Sequence, residues 1–428
     1  MKHVILTLAF LTCTVAAHAQ LLNGSVIVSE INFNSDTTRN AGDWFELYNT
    51  SASPVPLGGW TARDLSSSVY TFPAGTTLGA NAHLVVVRSV PQFNAQHPGV
   101  SNFVGTLPFN LGNGGDQIRL YDASNTLMYQ VTYDDTLDWS RGADGLGRTL
   151  ELNAVADDPN LGSSWFDGCM FGSPGMAYQP CDPPLVISEI NYNSDTLTDS
   201  DDWLELHNRS ANAINIGGWK IKDSHDSNVY TIPTVTLPAN GFLVVYKDQS
   251  QFESVYPWVT NKVGELSFSL SNAGEAIRLY NAQHKLEFSV RYNDRLPWDT
   301  LADGEGFTLE LLDATGRIND GTNWFAGCFL GSPGTAYDPN CPTSVESISP
   351  FADALIVPSG DFNSYQVLLH QSVFRATYAL FDLQGKLCDS GLLQQGANEI
   401  STVKLPAGVF ILQLQSARGT ASFKLLVD

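Results

Sequence analysis

Short apolar runs, separated by glycine and asparagine, set the pattern of the chain. Val26-Ile27-Val28 and Leu185-Val186-Ile187 are compact apolar triplets. Phe45-Glu46-Leu47-Tyr48-Asn49 and Ile118-Arg119-Leu120-Tyr121 alternate, as a strand with one buried face does. Leu84-Val85-Val86-Val87 and Leu243-Val244-Val245-Tyr246 are continuous and rich in β-branched residues. Gly58-Gly59, Gly79-Ala80-Asn81 and Gly112-Asn113-Gly114-Gly115 punctuate these runs as turns. No long stretch carries a helical period, and only Val90–Gln96 and Gln249–Val255 read as short helices. The pattern predicts an all-β chain of sandwiches.

The pattern also repeats. Val28-Ser29-Glu30-Ile31-Asn32-Phe33-Asn34-Ser35-Asp36 returns 159 residues later as Ile187-Ser188-Glu189-Ile190-Asn191-Tyr192-Asn193-Ser194-Asp195. Asp43-Trp44-Phe45-Glu46-Leu47, Gly58-Gly59-Trp60, Ala143-Asp144-Gly145 and Trp165-Phe166-Asp167-Gly168-Cys169 have counterparts at the same offset. This is a domain duplication, with a period far too long for a solenoid.

The two ends differ from the repeats. Lys2 and His3, the apolar stretch Val4–Ala16 and the small-x-small Ala17-His18-Ala19 form a secretory signal peptide with cleavage expected between Ala19 and Gln20. The stretch is short of the about 20 apolar residues of a spanning helix. Cys13 raises a lipoprotein alternative, although Phe10-Leu11-Thr12 is a poor approach to a lipidated cysteine. No other segment is apolar enough to span a membrane. The expected division is 1–19 signal peptide, 20–182 first repeat, 183–342 second repeat and 343–428 a smaller C-terminal domain.

The net charge of −22 removes the electrostatic term on which nucleic-acid binding depends; solubility is the plain reading of the acidity. In an exported chain, Cys169 with Cys181 and Cys328 with Cys341 read as one local disulfide per repeat. A zinc site is the alternative, but the close Cys-x-x-Cys pairs are missing. Cys388 is left over as a free thiol.

The Ser-Glu-Ile-Asn-(Phe/Tyr)-Asn opening, the Asp-Trp-x-Glu-Leu-x-Asn strand, the Gly-Gly-Trp and the Tyr-Thr-(Phe/Ile)-Pro segments resemble the lamin-tail domain, over about 25–145 and 185–305. The resemblance implies two tandem immunoglobulin-like β-sandwiches, followed here by a smaller C-terminal β-sandwich. In bacteria such domains accompany surface proteins and some hydrolases. Residues Tyr378–Lys386, with Phe381-Asp382-Leu383-Gln384-Gly385-Lys386, and Leu405-Pro406-Ala407-Gly408-Val409-Phe410-Ile411-Leu412 resemble the C-terminal sorting domain of the type IX secretion system of the Bacteroidota. That resemblance implies recognition by outer-membrane export machinery. Ser349-Pro350-Phe351 stands where the family has Pro-Asn-Pro, and the chain ends on Asp428 with its basic residue displaced to Lys424. A third sandwich with no sorting role is the alternative.

Candidate chemistry is sparse. The histidines of the exported chain, His83, His97, His207, His225, His284 and His370, have no histidine at the matching position of the other repeat. No Gly-x-Ser-x-Gly elbow, phosphate loop or His-Glu-x-x-His stretch occurs. Gly172-Ser173-Pro174-Gly175 and its copy at Gly331 are turns, and no partner with a raised pKa marks a glycosidase-like carboxylate pair. Glu30, Asn32, Asn34, Asp36, Asp43 and Glu46, repeated as Glu189, Asn191, Asn193, Asp195, Asp202 and Glu205, form two clusters of oxygen donors, of which the Asn and Asp residues are the candidate metal ligands. Positions 32, 34 and 36 share a face of an extended segment. Such donors suit Ca²⁺, which takes about six to eight oxygens, yet the same residues also cap turns. Trp44, Trp60, Trp139 and Trp165 recur as Trp203, Trp219, Trp298 and Trp324, as core residues or as sugar platforms. The functional expectation is a non-enzymatic, secreted or surface protein presenting two modules to a glycan or another surface protein. A divalent-metal hydrolase and a calcium-stiffened adhesin are the alternatives.

Overall fold

The computed structural model describes residues 24–136, 138–196, 198–341, 355–358, 364–369, 376–394, 396–416 and 419–427. The signal peptide, its cleavage point and the joint after Pro342 lie outside them. The described chain is almost wholly strand.

In the first repeat a six-stranded sheet runs in the order Trp165–Asp167, Leu150–Leu152, Val26–Asn32, Trp44–Asn49, His83–Val87, Phe103–Gly105. Only the last pairing is parallel. A four-stranded sheet, Leu127–Tyr133, Asp116–Tyr121, Thr61–Arg63, Val69–Thr71, closes the sandwich. Between them pack Val28, Ile31, Phe45, Leu47, Leu120, Val131 and their neighbours, all essentially fully buried.

The other face of the large sheet is covered too. Helix Val90–Gln96 lays Phe93 on Trp44, Val85 and Val87. Burial on both faces accounts for the unbroken apolar run Leu84–Val87, because each side chain finds a core whichever way it points. Ser89 starts this helix by accepting from Gln92 N at 3.5 Å, and Pro91 suits the first turn, where a backbone N–H has no partner to lose.

The second repeat reproduces both sheets. The large one runs Lys262–Gly264, Phe242–Tyr246, Trp203–Asn208, Leu185–Asn191, Phe307–Leu311, Trp324–Phe329. The small one runs Val229–Thr231, Lys220–Lys222, Ala276–Tyr280, Leu286–Arg291. Helix Gln249–Val255 covers Trp203 with Phe252. The C-terminal region pairs a three-stranded sheet, Leu355–Pro358, Ser364–Leu369, Gly396–Ser401, with a four-stranded one, Leu387–Leu393, Ala376–Asp382, Gly408–Ser416, Gly419–Val427. Val367, Leu380, Ile400, Leu412 and Leu414 form its core. Cys388 is half-buried there as a free thiol.

Candidate functional site

Each repeat carries a bulge in its opening strand, between Val28 and Glu30 and between Ile187 and Glu189. The bulge sets Glu30 opposite both Glu46 and Glu151 on the flanking strands. Glu189 likewise faces Glu205 and Glu310. Three carboxyls in one row are buried in each repeat, where like charges directly opposite destabilise a sheet.

The turn after the last strand seals this row. Ser173 N donates to Glu30 Oε1 at 2.9 Å, Ser173 Oγ to Glu151 Oε1 at 2.5 Å, and Gly175 N to Glu46 Oε2 at 2.6 Å. Ser332 and Gly334 make the same three bonds to Glu189, Glu310 and Glu205 at 3.0, 2.6 and 2.6 Å. Thr149 and Thr308 add a hydroxyl donor to Glu30 and Glu189. Gly172, with φ of +79°, has no room for a side chain, because a Cβ would fall onto Glu30 Oε1. Disulfides Cys169–Cys181 and Cys328–Cys341 close the loops that carry these turns.

Burial, reinforced by the neighbouring carboxyls, pushes Glu30 and Glu189 well above the usual carboxylate range. It pushes Glu151 and Glu205 up to about 8 and Glu310 to about 7. The Oε2 atoms of Glu30 and Glu189 meet no hydrogen-bond donor, which an ionised carboxylate would require there. Each row therefore holds protons at neutral pH. Such groups can serve as general acids only within hydrogen-bond reach of a substrate, and here the turns seal them off. The sequence contains the signal for these rows, since all six glutamates recur at the repeat offset, but their adjacency depends on the bulge.

The expected oxygen donors take structural positions. Asn32 Nδ2 donates to Ser35 Oγ at 2.9 Å and Gly42 O at 2.8 Å; Asn191 Nδ2 donates to Ser194 Oγ at 2.8 Å and Asp201 O at 2.9 Å. Asn34 and Asn193 donate to Asp144 and Asp303 at 2.6 and 2.7 Å, which explains the repeated Ala-Asp-Gly. Asp43 and Asp202 each accept a backbone N–H, from Leu111 at 2.9 Å and Leu270 at 2.8 Å. Burial raises these two carboxyls to about 6 and about 7. Asp36 accepts from Thr38 N at 2.7 Å and from Tyr280 OH, across the repeats, at 3.1 Å. Thr198 Oγ1 donates to Asp195 at 3.3 Å. Among the described residues no three His, Cys, Asp or Glu side chains converge as metal ligands. Seven of the eight repeated tryptophans are buried, and Trp219 packs against the second core.

Asp36–Tyr280 belongs to a seam between the repeats. Arg39 pairs with Glu287 at 2.5 Å and donates from Nε to Leu286 O at 3.0 Å. Leu286 N donates to Thr38 Oγ1 at 2.9 Å, and Lys285 Nζ to Thr38 O at 2.7 Å. Arg148, fully buried, donates to Gly168 O in its own repeat and to Ser289 O in the other. Ser289 Oγ donates back to Leu146 O at 2.6 Å. Asn319 Nδ2 donates to Asp167, and the Arg317 guanidinium lies 3.7 Å from the Phe166 ring centroid. Gly147, at φ +81°, lets Leu286 approach where a side chain would collide. The seam is asymmetric, joining one end of the first sandwich to the small sheet of the second. Three of its central residues differ between the copies: Arg39 matches Thr198, Arg148 matches Phe307, and Ser289 matches Gln130. Divergence of this kind is the signal through which the sequence could have marked it.

The Lamin Tail Domain family matches residues 20–135 and again 180–294. No curated protein matches the chain. Similar solved structures include a biofilm-associated protein BSP domain, 10% identical with a TM-score of 0.20, covering 95% of this chain and 82% of that one. A DUF4876 family protein from Bacteroides thetaiotaomicron is 9% identical with a TM-score of 0.24, covering 69% and 96%. PorZ, a surface component of the type-IX secretion system of Porphyromonas gingivalis, is 8% identical with a TM-score of 0.17, covering 94% and 45%.

Proposed function

The chain belongs to the lamin tail domain family, and from that premise we propose that it is an exported binding and structural protein that displays its two modules as one rigid body. The modules are non-enzymatic structural or adhesion units. The observation that carries the proposal is the seam. Domains within a chain move relative to one another unless their interface holds them, and this interface is hydrogen-bonded from both sides around the buried Arg148. A rigid pair fixes the distance between two sets of loops, which is what a spacer or a bivalent binder requires. The acidic surface, with net charge −22, disfavours nucleic acid as the partner; a glycan or another surface protein fits better.

Export through the C-terminal domain supplies the address in this reading, with the outer-membrane machinery as its partner. None of the described helices is long and apolar enough to cross a membrane. Cell fractionation of a Bacteroidota host expressing the full chain and a chain ending at Pro342 tests it. The full chain is expected on the surface or in the medium, and the truncated chain in the periplasm. Equal surface display of both would remove the sorting role.

A further inference from the structure

The seam carries an open cleft of about 340 Å³, at the lower end of the usual range for small-ligand sites. Arg141 of the first repeat and Arg278 and Arg291 of the second line it, with Ser224, Thr136 and Asp144. Asp135 also reaches it. Three guanidinium groups thus converge from both repeats, in a chain with twice as many acidic as basic residues (44 against 22).

The three are not equivalent. Arg278 is buried and committed: it pairs with Asp226 at 2.9 Å and donates from Nε to Asp223 O at 3.0 Å. Arg141 and Arg291 make no ion pair within 4 Å among the described residues. Asp144, on the same wall, accepts from Asn34 through Oδ1 and keeps its charge. Burial pushes the half-buried Arg291 guanidinium down from its usual value, and the Arg141 charge adds to the effect, while the Asp144 and Glu275 carboxylates act against it. Two like charges held together in a partly dry cleft repel, and the carboxylates nearby offset this only from beyond ion-pair distance, so a carboxylate brought between the two guanidiniums is favoured. The arrangement is not a property of the fold, since Arg141 matches Thr300 and Arg291 matches Thr132 in the repeat register. The pair arises only where the two copies meet.

We propose that this cleft binds an acidic sugar, a hexuronate unit whose carboxylate is held between Arg141 and Arg291. Guanidinium groups recognise carboxylates through paired, charge-assisted hydrogen bonds. The Ser224 hydroxyl, which accepts from Ala276 N and has its proton to give, the remaining acceptor capacity of Thr136 Oγ1, whose proton goes to Asp134, and the carboxyls of Asp135 and Asp144 supply partners for ring hydroxyls, which a simple inorganic anion would leave unused. The inference rests on the reading of the protein as a binding module and names its ligand class. It does not depend on the export route.

Calorimetric titration of the full chain at about 0.15 M salt tests it, with trigalacturonate, maltotriose and inorganic sulfate as probes. Trigalacturonate is expected to bind, and to be recovered intact. Maltotriose and sulfate are expected to bind at least about tenfold more weakly. Arg291→Gln and the exposed Arg141→Gln should each weaken trigalacturonate by about tenfold or more. Arg295→Gln, which removes one positive charge outside the cleft, should leave binding unchanged. No trigalacturonate binding, equal binding of sulfate, or equal losses in Arg295→Gln and Arg291→Gln would overturn the proposal. Surface display of a chain that ignores trigalacturonate would sink the sugar site and leave the binding-module reading standing.

Discussion

Glu30 lies directly across the ladder from Glu151, and both side chains are at most 4% exposed. Two ionised carboxylates cannot be held there without a cation, and among the described residues neither has a Lys, Arg or His partner within 4 Å, His83 pairing instead with Glu46. Holding protons resolves the conflict, so the closure of the Ser173 turn is tied to protonation.

The sign of the pH dependence follows. Glu151 and Glu205 titrate near 8 and Glu310 near 7 in the folded chain, against 4.5 when exposed. A raised folded value gives stability that is complete below about pH 4.5 and is lost as pH rises through about 7 to 8. The melting temperature is expected to fall by several degrees between about pH 6 and 9. Glu151→Gln, which keeps an acceptor for Ser173 Oγ and removes the charge, should flatten the first repeat's share of that fall. A wild-type profile flat over this range would mean the rows do not titrate as a buried set.

Reduction should act on the same turns. Each disulfide closes a short loop, with a sequence separation of 12 in the first repeat and 13 in the second. Bridges of this span contribute about 2–4 kcal/mol. Urea unfolding with and without reductant is expected to show that loss, and Cys169→Ser with Cys181→Ser about half the effect of full reduction. The loss should be larger above about pH 8, where the glutamate rows no longer favour the closed turn. Unfolding curves that superimpose with and without reductant would show the bridges to be dispensable.

The strands were legible in the sequence and the seam was not. Leu84–Val87 reads as a strand because every position is apolar and β-branched or leucine, which double-sided burial permits. The duplication was legible because its register is unbroken. The glutamate rows were hidden by spacing, since Glu30 meets Glu46 through a bulge and meets Glu151 on a strand distant in sequence. The Asn and Asp clusters had the composition of an ion site, yet Asn34 reaches for Asp144, a residue far along the chain. Pattern reading sees neighbours in sequence, whereas these partnerships are set by topology.

Calcium provides a direct test of that last point. The amides of Asn32 and Asn34 and the carboxyls of Asp36 and Asp43 already have protein partners. Adding Ca²⁺ or a chelator is expected to leave the melting temperature unchanged. A rise that grows with Ca²⁺ concentration would mean that the native state binds the ion, and would identify Asp36 and Asp195 as ligands.

The seam makes the sharpest mechanical prediction. Arg148 is 3% exposed and its two terminal nitrogens hold carbonyls of different repeats. Removing it leaves Gly168 O and Ser289 O without that donor, at about 1–3 kcal/mol for each buried group left unsatisfied. Tyr280→Phe deletes the bond to Asp36 and the longer one accepted from Arg278 Nη1 and should cost about 0.5–1.5 kcal/mol for each. If the repeats are coupled through this contact, calorimetry of the wild-type tandem shows one transition spanning both. Arg148→Met, close in length but without donors, is then expected to split it into two, because each sandwich retains its own complete core. Two separate transitions in the wild type would mean that the seam does not couple the modules, and the rigid-spacer function would lose its basis.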